Sequence, residues 1–187
     1  MKKTVLVFIF LAASLTICVV PVFGDGGGGI FMGYHVDIDI DDDNLRVDMG
    51  NPGYMYSGGY GYGVSGYQIN GGFGYYLEDK KQSGTLSGGF GGVISGIRIL
   101  KMPLNVNLVS WTGFGAVQQL TGDVEKTAFC ISEEIALEIG LPVFRWFMPI
   151  VYAGYTASMS LSPNSPGEAY VAHNPVLGIR LVWGKFY

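Results

Sequence analysis

The amino-acid sequence predicts an all-β protein: an eight-stranded antiparallel up-and-down barrel following an N-terminal signal peptide. Three observations predict it. Beyond residue 24 the dominant spacing of apolar side chains is two, the period at which strand neighbours fall on opposite faces. Eight segments carry that spacing, with connections of alternating length. No window after Val20 is apolar for long enough to cross a membrane as a helix, although thirty glycines, twelve tyrosines and only 14% charged residues are unusual for a water-soluble chain. Any membrane span must therefore be made of strands.

The chain opens with Met1-Lys2-Lys3, an apolar run to Val20, and Pro21-Val22-Phe23-Gly24. A basic start, an apolar middle and small residues before a cut describe a secretory leader, with cleavage expected after Gly24. The run is short for an anchor and ends at a helix breaker. Lipoprotein processing at Cys18 is disfavoured by Ile17, which stands where a small side chain is needed. Domain boundaries are thus 1–24 for the leader and 25–187 for one barrel, 187 − 24 = 163 residues. Loss of Lys2 and Lys3 moves the net charge from −4 to −4 − 2 = −6, which argues against nucleic-acid binding. Cys130 is then left alone, so stability has to come from burial and backbone pairing rather than from an internal disulfide.

The first strand is predicted over 29–38, with Ile30, Met32, Tyr34 and Val36 opposite Phe31, Gly33, His35 and Asp37. The second, 54–64, sets Tyr54, Tyr56, Tyr60 and Tyr62 against Ser57, Gly59, Gly61 and Gly63. The third, 67–77, repeats this with Tyr67, Ile69, Phe73, Tyr75 and Leu77 opposite Gln68, Asn70, Gly72 and Gly74. The fourth, 85–99, carries Leu86, Phe90 and Ile94 among glycines, and the fifth, 104–118, alternates Leu104, Val106 and Leu108 with Asn105 and Asn107. In the sixth, 128–141, Phe129, Ile131, Ile135, Leu137 and Ile139 oppose Cys130, Ser132, Glu134, Ala136 and Glu138. The seventh, 147–161, is apolar on both faces early and small or polar late. The eighth, 176–187, sets Leu177, Ile179, Leu181 and Trp183 against Gly178, Arg180, Val182 and Gly184.

Connections at 39–53, 78–84, 119–127 and 162–175 are longer and more polar than those at 65–66, 100–103 and 142–146, the stringing of an outer-membrane barrel. A short helix over 45–49 is expected in the first of them, capped by Asp43 or Asn44 and stopped by Gly50. Glycine on one face of so many strands fits a narrow interior, and the expectation is glycine inside with Tyr, Phe, Leu and Ile outside as a lipid-facing wall. Closure also removes the sheet edges that would invite aggregation.

At this point the chain resembles the small outer-membrane β-barrels, the group that includes OmpA- and OmpX-like proteins, over about residues 29–187 as a pattern. Its most specific piece is Leu177, Ile179, Leu181 and Trp183 alternating into a terminal Phe186-Tyr187, with Lys185 departing from the usual apolar place. The resemblance implies export to the cell outer membrane, with the lipid bilayer and the barrel-assembly machinery as partners and a structural or surface-exposed, non-enzymatic role. The alternative is a soluble periplasmic or secreted β-sandwich or barrel that binds a ligand or partner through its loops.

Candidate sites are few. Glu134, Glu138 and Arg180 fall on one predicted inward face and are expected to form a lumen charge cluster, since buried charges must pair. The competing reading, in which these acids face water, draws on Glu133, which stands on the apolar face. Asp37, Asp39, Asp41, Asp42, Asp43 and Asp48 have the oxygen spacing of a calcium loop, but Asp42 occupies the glycine position of its turn, which favours a solvated acidic loop. The two carboxylates lack a substrate-binding motif beside them, so glycosidase chemistry is not expected, and a lipid-modifying barrel would need a polar cluster at one rim. His35, His173 and Cys130 are too few and too scattered for a transition-metal site, and no cofactor is expected. Trp111, Trp146 and Trp183 are candidates for an interfacial belt or for core and girdle filling, with Trp146 beside Arg145 in a short turn that suits the membrane-water boundary.

Overall fold

The computed structural model describes residues 25–35, 55–81, 84–101, 103–121, 124–161 and 169–185. The leader, the acidic segment from Asp37 to Asp48, the 45–49 helix and the terminal Phe186-Tyr187 lie outside the described residues. The strands are β1 (Asp25–His35), β2 (Met55–Ser65), β3 (Gln68–Lys81), β4 (Gly84–Leu100), β5 (Asn105–Thr121), β6 (Val124–Gly140), β7 (Phe147–Leu161) and β8 (Ala169–Lys185). Each pairs antiparallel with the next and β8 closes on β1, giving a single barrel without helices among the described residues.

Register fixes the barrel's dimensions. Following paired positions from Asp25 through Val64, Ile69, Gly96, Val109, Ala136, Gly154 and Val176 returns to β1 at His35, a shear of 35 − 25 = 10 residues. With a strand spacing of about 4.8 Å and a rise of about 3.3 Å per residue, eight strands of that shear lean by about 41° at a backbone radius of about 8 Å. Such a lumen has to be filled by side chains.

That requirement corrects the expectation for β2 and β3. Tyr56, Tyr60, Ile69, Phe73 and Leu77 do share a face, but it is the inner one, and Gly59, Gly61, Gly72 and Gly74 face outward. A wall of inward glycines would leave this interior hollow, so the rings turn in and pack around Phe31, whose centroid lies 5.0 Å from Trp111 and 5.9 Å from both Tyr56 and Tyr60. Trp111 is therefore lumenal and takes no part in an interfacial belt. The same correction holds on β4, where Phe90 and Ile94 turn inward and Gly89 and Gly91 face out. On β1, β6 and β8 the faces are as expected: Ile30, Met32, Ile135, Leu137, Ile139, Leu177 and Ile179 are exposed on the outer wall.

Glycine does line part of the lumen, in a different pattern. Register places Gly58 beside Phe31 and Tyr75, Gly33 beside Tyr56, Gly92 beside Phe73, and Gly115 beside Phe90. Large and small alternate between neighbouring strands, as a narrow barrel needs. At Gly33 an added Cβ would stand 2.3 Å from the Tyr56 ring and 2.4 Å from the Tyr152 hydroxyl, closer than any real contact. The turn between β2 and β3 uses Gly66 in the left-handed region, φ +60°, where a side chain would be strained.

Three connections expected to be long are instead strand in large part, the last of them in its second half. β3 runs on to Lys81 and β4 starts at Gly84, β5 runs to Thr121 and β6 starts at Val124, and β8 begins at Ala169. Polar composition there signals contact with water rather than loss of pairing, because antiparallel hairpins satisfy their own backbone wherever they stand. At the other end the β4–β5 and β6–β7 connections are short, and β1 starts at Asp25, so the glycine run 26–29 is strand.

Candidate functional site

The lumen holds one buried polar network, built on rows of cross-strand neighbours. One row runs Tyr56, Gly33, Gly178, Tyr152, Glu138, Asn107, Arg98 across seven strands, and the glycines in its middle give the two tyrosine rings room. Arg180 stands on a neighbouring row beside Phe31 and Ile150, and Glu134 beside Trp111 and Thr156. These three registers bring the predicted charged residues together.

Arg180 is 1% exposed. Its Nη2 donates to Glu134 Oε1 at 3.0 Å and its Nη1 donates to Glu138 Oε1. The guanidinium carbon lies over two rings, 3.8 Å from the Trp111 centroid and 3.9 Å from that of Tyr152. A planar cation that contacts π density twice while donating to two carboxylates suits arginine rather than lysine. Tyr56 donates its hydroxyl proton to Glu134 Oε2 at 3.0 Å, so Tyr152 is the donor in the 2.9 Å contact between the two phenols. Asn107 Nδ2 donates to Glu138 Oε2 at 3.1 Å. Both carboxylates thus have a cation and a neutral donor each, which is what makes two buried acids tolerable.

Sequence reasoning missed Tyr56, Tyr152, Asn107 and Trp111 as members of this network. The Asn105/Asn107 alternation with Leu104, Val106 and Leu108 did put the asparagines on the opposite face from the leucines, and both are buried. The tyrosines were lost because an aromatic face was equated with a lipid face. Around the network the stack Phe73–Tyr75–Phe90, at 5.9 and 5.0 Å, closes the lumen toward β3 and β4. The packing is that of a filled core.

Cys130 is buried on the inner face and free. His35 ends β1 against the Tyr56 ring at 4.9 Å, whereas His173 sits on the outer wall of β8, where its Nδ1 meets the Tyr155 hydroxyl at 2.6 Å. Among the described residues no group of three or more His, Cys, Asp or Glu is placed to hold a metal ion.

The outer wall has an apolar band bordered by aromatic residues on two levels. Near the short connections Phe144, Trp146, Phe147 and Trp183 form a run with centroids 5.4, 5.9 and 5.5 Å apart. Nearer the opposite end stand Tyr34, Tyr76 and Tyr155, with Phe129 farther out on β6. Between the levels an open apolar groove of about 530 Å³ crosses the β1–β8 seam, lined by Ile30, Met32, Tyr34, Met55, Leu177 and Ile179. Glu133 interrupts this wall: it faces outward, is only 7% exposed, and accepts hydrogen bonds from the Ser110 and Thr112 hydroxyls.

No protein-family model and no curated protein sequence matches the chain. Fold and site therefore rest on its own residues.

Proposed function

We propose that the protein is an exported outer-membrane barrel with a structural or surface-exposed role and no catalytic activity, resembling the small OmpA- and OmpX-like barrels in kind. The observation that carries this reading is the height of the apolar band. On β7 the belt residues Phe147 and Tyr155 are 155 − 147 = 8 residues apart. At about 3.4 Å per residue that is about 27 Å along the strand and about 21 Å along the axis after a 41° lean, close to the ~25 Å band of outer-membrane barrels. A water-soluble barrel has no use for exposed Ile30, Met32, Leu177 and Ile179 in one continuous zone, because apolar patches of that size drive association. The filled lumen supports a non-conducting role: the rings and the Arg180 network occupy the space a channel would need. Insertion by the barrel-assembly machinery follows from the same reading.

Fractionation tests it. The full chain, expressed with its leader in a Gram-negative host, is expected in the membrane pellet after a urea wash. It is also expected to run faster on a gel when unboiled than when boiled. Recovery in the soluble periplasmic fraction would refute the reading in favour of a soluble barrel.

A further inference from the structure

We infer that the lumen holds a binding site for inorganic phosphate at the end of the short connections, built on Arg98, Asn105, Asn107 and Tyr62. The inference stands apart from the membrane reading, since a soluble barrel of this register would keep the same mouth.

The first observation is a buried cation that lacks a counter-ion. Arg98 lies two residues before the end of β4, on the inner face, and is 6% exposed. Arg180 has two carboxylates, whereas no carboxylate of a described residue pairs with Arg98, and its Nε is buried with no hydrogen-bond partner. At the same end Val64, Ile69, Met148, Ile150 and Val182 also face inward and are buried. A charge in apolar surroundings is expensive unless it is paired and hydrogen-bonded. The strand is irregular here as well: a β-bulge falls between Arg98 and Leu100, and bulges at barrel rims re-aim side chains.

The second observation is a pair of orphaned acceptors on the same inner face. Asn107 is the cross-strand partner of Arg98, and Asn105 stands one inward position nearer the mouth; both are buried. Asn107 gives its Nδ2 to Glu138 Oε2, which fixes the orientation of the amide and leaves Oδ1 as an acceptor. That oxygen and the Oδ1 of Asn105 have no hydrogen-bond partner. Tyr62 reaches in from β2, close enough for the Arg98 charge to act on its hydroxyl. It points inward yet is only half-buried, so this end of the lumen is open to solvent beside it.

Together these atoms select the ligand. A guanidinium offers a positive charge and donors in a planar fork, which calls for an oxyanion. The amide oxygens call in addition for a donor, and a carboxylate or a sulfate has none at neutral pH. Inorganic phosphate has both: its ionised oxygens accept from Arg98 and Tyr62, and its P–OH donates to an asparagine oxygen. A phosphodiester keeps no such proton, and a phosphate monoester holds one only near or below its second pKa of about 6. Buried acceptors discriminate well here, because a ligand without the matching proton leaves them unpaired.

Calorimetric titration of the folded barrel in detergent at pH 7 tests the site. Inorganic phosphate is expected to bind one per barrel, and sulfate at least about tenfold more weakly. Arg98→Met should weaken phosphate at least about thirtyfold and Asn105→Ala at least about threefold, each judged on protein that keeps the unboiled gel shift. Should Arg98→Met not fold, Arg98→Lys keeps the charge without the fork and is expected to lose at least about fivefold. Equal affinity for sulfate and phosphate, or a folded Arg98 variant that binds phosphate as the wild type does, would overturn the inference. So would a wild type that binds neither anion, which would leave the orphaned atoms to internal water. A phospholipid adduct in native mass spectrometry, present in the wild type and lost in Arg98→Met, would overturn it in favour of a lipid headgroup.

Discussion

Replacing Arg180 by Met should be the most costly single change in the lumen. The substitution keeps an unbranched stem that ends about where Nε stood, vacates the place of the guanidinium beside Trp111 and Tyr152, and withdraws the cation from Glu134 and Glu138, leaving each with one neutral donor, Tyr56 and Asn107 respectively. Breaking a buried ion pair from one side costs about 3–5 kcal/mol, because the charge left behind is uncompensated. With an m-value of about 2 kcal/mol per molar urea, the unfolding midpoint should fall by about 1.5–2.5 M. Trp111 stands against the guanidinium and reports on it, and Trp146→Phe with Trp183→Phe leaves it as the sole indole. Urea unfolding in lipid vesicles, followed by Trp111 fluorescence and the unboiled gel shift, measures the loss. The cause is separated by adding Glu134→Gln and Glu138→Gln to Arg180→Met, which removes the orphaned charges and should recover more than half of the lost stability. A single variant within 1 kcal/mol of wild type, or a triple variant no better than the single one, would refute the ion-network account.

The remaining predictions separate inside from outside. Gly178→Ala places a Cβ 2.4 Å from the Met32 carbonyl oxygen and the Tyr152 ring, and should cost about 1–3 kcal/mol in the same urea assay, whereas Gly61→Ala, whose nearest neighbour would be 3.9 Å away, should change stability by no more than about 0.5 kcal/mol. Ile179, midway between Trp183 and the Pro175 level of Tyr155, tests the medium: Ile179→Lys should cost about 2–4 kcal/mol in a bilayer, and a cost near zero would speak for water on that wall. Cys130 is buried in the lumen, so a maleimide should label the folded barrel at least about a hundredfold more slowly than the boiled one. Comparable rates would mean that the β6 face assignment is wrong.

Strand number, order and closure were legible because period two survives in every segment, and β7 was located to the residue at Phe147–Leu161. The sidedness of β6 was legible for a stronger reason. Glu134 and Glu138 alternate with Ile135, Leu137 and Ile139, and only one of those faces tolerates lipid. In β2 and β3 neither face carries a charge within the band. Tyr against Gly says which residues travel together but not which way they look.

What decides the direction there is volume, and it is visible only once the ring is closed. An eight-stranded lumen of about 8 Å backbone radius is too wide for glycine to fill and too narrow for ring beside ring at every position. The solution in this chain is a cross-strand alternation, Phe31 with Gly58, Tyr56 with Gly33, and Phe90 with Gly115. The partners of each pair lie on different strands, as far apart in the chain as Tyr56 and Gly33, so no window along one strand contains the signal. The same holds for the charge network, whose tyrosines and asparagine come from β2, β7 and β5. A reading that pairs strands first and then asks each row for one large and one small inward residue would have turned the tyrosines inward. It would also have left Gly72, Gly74, Gly89 and Gly91 on the outer wall as glycines without an internal reason.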